Sequence, residues 1–116
     1  MSRDDAHRLT RRLRLLSVLA TVVCLAIATQ ALAKGTTVKV GDNFFSPRSL
    51  SLAQGAPARW NWAGKNPHNV TVTKGPQKFR SSTRKHGSFS HKFTAKGSYT
   101  IVCTIHANMV MLVKVR

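Results

Sequence analysis

The chain has 116 residues and carries 19 Lys and Arg residues against 3 Asp and Glu residues, a formal charge of +16. This length suits one domain and excludes two. Apolar residues make up 42% of the chain, enough for a packed core, so an intrinsically disordered protein is excluded. The two cysteines, Cys24 and Cys103, are too few for a disulfide scaffold or a zinc site built from several thiolates.

The N-terminal segment has the pattern of a secretory signal peptide. Five arginines between Arg3 and Arg14 precede an uncharged run, residues 15–33, which ends in Ala31-Leu32-Ala33. We predict cleavage after Ala33 and export to the periplasm or the cell exterior, by either the general or the twin-arginine route. An uncleaved membrane anchor is the alternative, because the uncharged run approaches the ~20 residues that span a bilayer.

Cleavage would leave residues 34–116 as one domain, with 14 Lys and Arg residues and a single acid, Asp42. Such a basic domain should attract acidic protein partners or anionic membrane and envelope surfaces. No nucleic-acid-binding motif accompanies the charge, so we expect no nucleic-acid partner. In an oxidising compartment Cys103 would lack an internal disulfide partner, and we expect a ligand at its sulfur.

In the rest of the chain, short runs alternate apolar and polar residues between Gly, Pro and Asn signals, which predicts an all-β domain. In chain order the predicted strands contain Val38 and Val40, Leu50 and Leu52, Trp60 and Trp62, Val70 and Val72, Phe89 to Phe93, Tyr99 to Cys103, and Met111 to Val115. The basic stretch 74–87 is predicted to be a long loop with at most one short edge strand, around Phe79.

The spacing of these runs predicts six or seven strands in a Greek-key β-sandwich of two antiparallel sheets. Alternation also predicts which side chains point into the core: Val38, Val40, Leu50, Leu52, Trp60, Val70, Val72, Phe93, Tyr99, Ile101 and Val113.

The segment before the last strand groups a thiol, an imidazole and a thioether. Cys103, His106 and Met109 lie within seven residues, where one strand ends and the next begins. Soft sulfur ligands together with imidazole favour copper, and two histidines, a cysteine and a weak axial methionine form an electron-transfer copper site. The second histidine should come from a neighbouring strand end, and His68 is the natural supplier.

The same residues resemble the cupredoxins, small type 1 (blue) copper proteins of the plastocyanin and amicyanin kind. The resemblance covers residues 36–116 and rests mainly on Asn66-Pro67-His68-Asn69 and on Cys103-x-x-His106-x-x-Met109. It implies that His68, Cys103 and His106 bind one copper ion, with Met109 as the axial ligand. It also implies that Asn69 ties the loop of the first histidine to Thr104.

Two positions depart from the family pattern. Ala107 stands where the family often has proline, and Met111 stands where it often has glycine. Because residues two apart on a strand share a face, Met111 remains an alternative axial ligand to Met109.

The predicted function is a monomeric carrier that shuttles single electrons between redox partners in the cell envelope. The alternative is a copper-storage or copper-delivery protein without electron transfer. We expect no enzyme, because so short a domain has no room for the additional copper centres of related enzymes. We also expect a redox partner with an acidic docking face, and an apolar patch of Met109, Val110 and Met111 around His106. His86 and His91 are predicted to be solvated or structural residues, with a weak accessory metal site as the alternative.

Overall fold

The computed structural model describes residues 35–116, which form eight β-strands. The predicted signal peptide, residues 1–33, lies outside the described residues, and so does Cys24. Between residues 35 and 116 there is no helix with the length and apolar character needed to cross a membrane. The strands are β1 (Thr36–Gly41), β2 (Phe44–Ser46), β3 (Ser49–Leu52), β4 (Pro57–Trp62), β5 (Thr71–Lys74), β6 (Ser88–Lys92), β7 (Gly97–Val102) and β8 (Val110–Val115).

The strands form two four-stranded sheets, in the orders β2-β1-β4-β6 and β3-β8-β7-β5. This arrangement confirms the predicted all-β sandwich. Each sheet is nevertheless mixed, because β1 pairs with β4 in parallel and β3 pairs with β8 in parallel. The alternation of apolar residues reports which face of a strand is buried and carries no information on the direction of its neighbour, so these two pairs differ from the predicted antiparallel sheets.

The strand β2 and the stretch 74–87 are the two remaining segments to compare with the predicted strands. The additional strand is β2, three residues long, whose Phe45 is buried. The basic stretch 74–87 forms isolated bridges from Arg80 to Thr71 and from Arg84 to His68, which agrees with a long loop that has a short edge pairing.

The core lies between the two sheets and is centred on Trp60. This side chain is fully buried and contacts the rings of Phe79, Phe89 and Phe93 at centroid distances of 6.0, 5.9 and 6.4 Å. Every side chain predicted to point inward is buried except Leu50, which is half-buried at the edge of the core. The packed sheets therefore fix the strand ends from which the site residues project.

His91 belongs to this aromatic cluster and serves as a packing residue. Its ring stacks on Phe79 with centroids 3.8 Å apart and meets the edge of Phe93 at 5.2 Å. Its Nε2 atom is buried and has no hydrogen-bond partner among the described residues. Burial lowers the pKa of His91 below its ordinary value of 6.5, because the charged imidazolium would lose hydration there. His86, by contrast, is exposed.

We expect the metal-free protein to lose stability as the pH falls below 6.5, in part through His91. The unfolded chain binds a proton at this residue more readily than the folded chain, so the stabilising contribution is present above pH 6.5 and is lost as the pH falls through the lowered pKa. The His91→Phe variant should show a smaller loss of unfolding free energy between pH 7.5 and 5.5, measured by urea denaturation. His86→Gln, the matched control, should keep the wild-type dependence; equal dependence in His91→Phe and wild type would contradict the prediction.

Candidate metal centre

Three side chains from two strand ends meet at one end of the sandwich. The Nδ1 atom of His68 lies 3.1 Å from Nδ1 of His106 and 3.9 Å from Sγ of Cys103. The Sγ atom of Cys103 lies 3.5 Å from Nδ1 of His106. These three residues are the one group of histidine, cysteine and acidic residues between residues 35 and 116 that could hold a metal ion, with donor atoms within 4.8 Å of one another.

The loop between β7 and β8 supplies two of these side chains. Cys103 follows β7 directly, and its backbone N–H donates to the carbonyl oxygen of Met109 at 3.0 Å, which closes the loop. Asn108 has a positive φ of 61°, a conformation that asparagine tolerates better than most residues. The loop is therefore tight enough to return His106 towards Cys103.

His68 is held from both sides by backbone pairing. It forms an antiparallel bridge with Arg84, in which each backbone N–H donates to the carbonyl oxygen of the other, at 2.9 and 3.0 Å. The indole Nε1–H of Trp62 also donates to the carbonyl oxygen of His68, at 3.1 Å. These bonds hold the backbone of His68 in place without a contribution from a metal ion.

The three donors differ in their access to solvent. The side chains of His68 and Cys103 are buried, whereas His106 is half-buried and offers the one solvent-accessible edge of the cluster. Cys103 is a free cysteine. The thiol of Cys103 and the imidazole of His68 are therefore shielded from solvent, whereas a second protein could approach the imidazole of His106.

Asn69 connects the His68 segment to the Cys103 loop. Its side-chain Nδ2 donates to Thr104 Oγ1 at 2.8 Å and to Thr83 Oγ1 at 3.1 Å. Its Oδ1 accepts from the backbone N–H of Thr104 at 3.2 Å and from the hydroxyl of Thr71 at 2.8 Å. Since Asn69 is fully buried, these four bonds satisfy a polar side chain that would otherwise destabilise the fold.

We expect Asn69→Ala to destabilise the metal-free protein by about 1–3 kcal/mol, because buried partners lose their hydrogen bonds. The copper spectrum should also change, since the loop that carries Cys103 loses its tie to the His68 segment. Thr83→Ala is the matched control, which removes one of the four bonds at an exposed residue and should have a smaller effect. Urea denaturation and visible absorption measure the two effects; an unchanged stability and spectrum in Asn69→Ala would contradict this role.

The two methionines near the site differ in what their sulfur atoms contact. Both side chains are buried. The Sδ atom of Met111 accepts a hydrogen bond from the indole Nε1–H of Trp60 at 3.3 Å, so it belongs to the core. Met109 has no such partner among the described contacts and lies in the loop that closes over Cys103.

The predicted apolar patch is wrong for both methionines, because neither is exposed. The large apolar side chains that are exposed are instead Ile105 at 50%, Val110 at 39% and Leu112 at 56%. Alternation places Met111 on the inner face of β8 and Val110 and Leu112 on its outer face, and the buried Met109 directly precedes the strand.

Asp42 is a site residue that is not among the predicted ones. Its Oδ1 lies 3.1 Å from Nε2 of His68, and its carboxylate accepts the backbone N–H groups of Lys65 and Asn66 at 2.9 Å each. These backbone bonds first, and the bond from His68 next, lower the pKa of Asp42 to about 2. Its contact with His68 joins residues 26 positions apart, so spacing along the chain does not reveal it. The one sequence feature that singles out Asp42 is that it is the single acid of the domain.

The donor set fits copper. Two imidazole nitrogens and a thiolate are the ligands that copper electron-transfer sites use. Donors bound about 2.0–2.3 Å from one ion lie up to about 4.5 Å apart, which matches the distances between these side chains. The residues described here would therefore accept one ion with small adjustments of side-chain position.

Comparison with known proteins also points to copper. The family of copper binding proteins of the plastocyanin/azurin type matches residues 33–116. Amicyanin-alpha of Methylorubrum extorquens is 30% identical over 84 residues, which cover 69% of this chain and 71% of the relative.

Two solved structures share the fold. A purple cupredoxin from Nitrosopumilus maritimus has a TM-score of 0.64 at 24% identity, over 70% of this chain and 99% of that one. A copper-containing nitrite reductase from Thermus scotoductus has a TM-score of 0.62 at 24% identity, over 71% of this chain and 22% of the reductase. With the family match over most of its length and the amicyanin relative, this chain belongs to the plastocyanin/azurin family of copper binding proteins, the cupredoxins, whose cofactor is one copper ion.

Proposed function

We propose that this protein is a type 1 blue-copper electron carrier of the cell envelope. In this proposal His68, Cys103 and His106 bind the copper ion and Met109 is the axial ligand. The observation that carries the proposal is the convergence of two Nδ1 atoms and one Sγ atom within 4.8 Å at one end of the sandwich. The bound copper would supply the one-electron chemistry, and the protein holds the donors, shields them from water and presents one edge to a partner.

The burial of the donors supports electron transfer over copper delivery. Two of the three donor side chains are almost fully buried, and the backbone of His68 is fixed by three hydrogen bonds. A site built to release its ion would favour exposed, mobile ligands, whereas a carrier needs ligands that move little between oxidation states. The half-buried His106 is the proposed route for the electron to a docked protein.

Retention of copper during reduction tests this proposal against copper storage or delivery. We expect the copper-loaded protein to pass through repeated cycles of reduction by ascorbate and reoxidation by ferricyanide, with a Cu(I) chelator present throughout. The visible band should return at each reoxidation with little loss. Transfer of most of the copper to the chelator at the first reduction would contradict an electron carrier and support copper handling.

The axial role of Met109 can be separated from the core role of Met111 with two matched substitutions. Met109→Leu should raise the reduction potential and alter the visible spectrum, because loss of the thioether weakens the oxidised site more than the reduced one. Met111→Leu should leave both unchanged and cost about 1–3 kcal/mol of stability, because the buried indole N–H of Trp60 loses its acceptor. Spectroelectrochemistry measures both; a larger shift in Met111→Leu would reverse the assignment.

The proposed partner is a redox protein with an acidic docking face. Val110 and Leu112 are exposed on the outer face of β8, next to the loop that holds Cys103 and His106. Two lysines flank Leu112 on this face. Lys74 pairs with Thr100, which in turn pairs with Leu112. Lys114 lies two residues after Leu112 on the same face of β8. An apolar surface flanked by lysines suits a partner whose own apolar contact is ringed by carboxylates.

The basic charge also bears on assembly and location. Between residues 35 and 116 there are 13 Lys and Arg residues and one acid, so two copies would repel each other, which supports a monomer. We propose export by the N-terminal signal to the periplasm or the cell exterior, with cleavage after Ala33, or retention as a membrane anchor if cleavage does not occur. The same charge would hold the protein near anionic membrane or envelope surfaces.

A further inference from the structure

Asp42 forms a contact that is unexpected in so basic a domain. It is the one Asp or Glu among residues 35–116, where 13 Lys and Arg residues could compete for it. The one side chain in this range that contacts its carboxylate is nevertheless His68, through Oδ1 and Nε2 at 3.1 Å. The carboxylate stands in the turn between β1 and β2, so the pairing brings a separate part of the fold to the metal centre.

The loop before His68 is shaped around this carboxylate. The backbone N–H groups of Lys65 and Asn66 both donate to it. A Cβ atom at Gly64 would collide with the Asp42 side chain, so glycine leaves the space that the carboxylate occupies. Two backbone donors and one close-fitting glycine hold the carboxylate in one orientation, in which Oδ1 accepts both backbone N–H groups and also faces His68.

The chemistry of a carboxylate then decides the protonation of the ring. An ionised carboxylate only accepts hydrogen bonds, so the ring nitrogen that faces it must carry the hydrogen. An aspartate is ordinarily ionised at neutral pH, and the two backbone N–H groups that donate to Asp42 favour the ionised form. In a neutral imidazole the other nitrogen then carries a free lone pair, and here that atom is Nδ1 of His68, which faces Cys103 and His106.

We propose that Asp42 is a positioning residue that fixes His68 in the tautomer with hydrogen on Nε2, so that Nδ1 is ready to bind the metal before it arrives. The proposal rests on the copper-ligand role proposed for His68. Its consequence is that the metal need not displace a proton or rotate the ring at a fully buried histidine. Partners of this kind typically contribute about 10- to 100-fold to metal affinity.

The first test needs no metal and no substitution. The nitrogen chemical shifts of the His68 ring in the metal-free exported protein at pH 7.5, read by long-range ¹⁵N–¹H correlation, distinguish the two tautomers. We expect Nε2 to be protonated and Nδ1 to be unprotonated. A protonated Nδ1, or an even mixture of the two tautomers, would overturn the proposal whether or not the protein binds copper.

Asp42→Asn tests the cause of the tautomer preference. The amide oxygen can still accept the N–H groups of Lys65 and Asn66, but the NH₂ group then faces His68 and favours hydrogen on Nδ1. We expect the His68 tautomer ratio to shift and copper affinity to fall about 10- to 100-fold, measured by competition with a chelator. The backbone resonances of Lys65 and Asn66 report whether the loop is retained.

Two further variants separate positioning from charge and from structure. Ala53→Lys changes the net charge by the same amount as Asp42→Asn, at an exposed residue at the far end of the sandwich, and should leave tautomer and affinity unchanged. Gly64→Ala keeps the charge but displaces the carboxylate, and should reproduce the tautomer shift. If Asp42→Asn keeps the wild-type tautomer of His68 and the wild-type copper affinity, the proposal for Asp42 is overturned. If that variant also retains the blue copper site, the proposed function of the protein still stands.

Discussion

Replacing Cys103 with alanine should abolish the intense visible absorption of the copper-loaded protein. In the proposed site this band arises from charge transfer between the thiolate and Cu(II), and Cys103 is the free cysteine among the described residues. We expect the band to disappear completely and any remaining bound Cu(II) to show weak absorption. Visible spectroscopy after addition of one equivalent of Cu(II) measures the effect.

Ile105→Ala provides the matched control for this substitution. Ile105 lies in the same loop, two residues from Cys103, but its side chain is half exposed and carries no donor atom. Its replacement should leave the absorption band in place. An intense visible band in Cys103→Ala, or its loss in Ile105→Ala with copper still bound, would show that the thiolate is not the source of the colour.

Trp60→Ala should cause the largest loss of stability among single core substitutions. Trp60 is fully buried, contacts three phenylalanine rings and donates a hydrogen bond to the sulfur of Met111. Removal of a buried tryptophan side chain costs about 3–5 kcal/mol. A domain of this size has a total stability of roughly 4–12 kcal/mol, so the loss should remove at least about a quarter of it.

Urea denaturation of the metal-free protein at 25 °C measures this loss. Trp60→Phe is the control, because it keeps an aromatic ring in the cluster and should recover more than half of the loss. The hydrogen bond to Met111 is absent in both variants, so the difference between them isolates packing. A loss below about 1 kcal/mol in Trp60→Ala would contradict the central position assigned to this residue in the core.

The sandwich could be predicted because burial follows a period of two along most strands. Trp60, Tyr99 and Val113 alternate with exposed or half-buried neighbours, and that pattern is readable in one sequence. Strand direction and strand neighbours depend on connections between distant segments, which alternation does not encode. The strand β2 was not predicted for a different reason, because its three residues are too few to show an alternating pattern.

The candidate site could also be predicted from the sequence only in part. Cys103 and His106 are three residues apart, so a single loop brings their donors together and the spacing alone is informative. The part played by Asp42 depends on a contact 26 residues along the chain and on two backbone N–H groups, and spacing along the sequence predicts neither. Met109 and Met111 could not be separated by alternation, because only the position of Trp60 shows which sulfur belongs to the core.

Optical titration of the wild-type protein with Cu(II) tests the central claim most directly. The proposed site predicts that one equivalent of Cu(II) produces an intense visible band, that one electron per copper bleaches it, and that reoxidation restores it. Absence of the band, or saturation only beyond one equivalent, would contradict a type 1 copper centre at His68, Cys103 and His106.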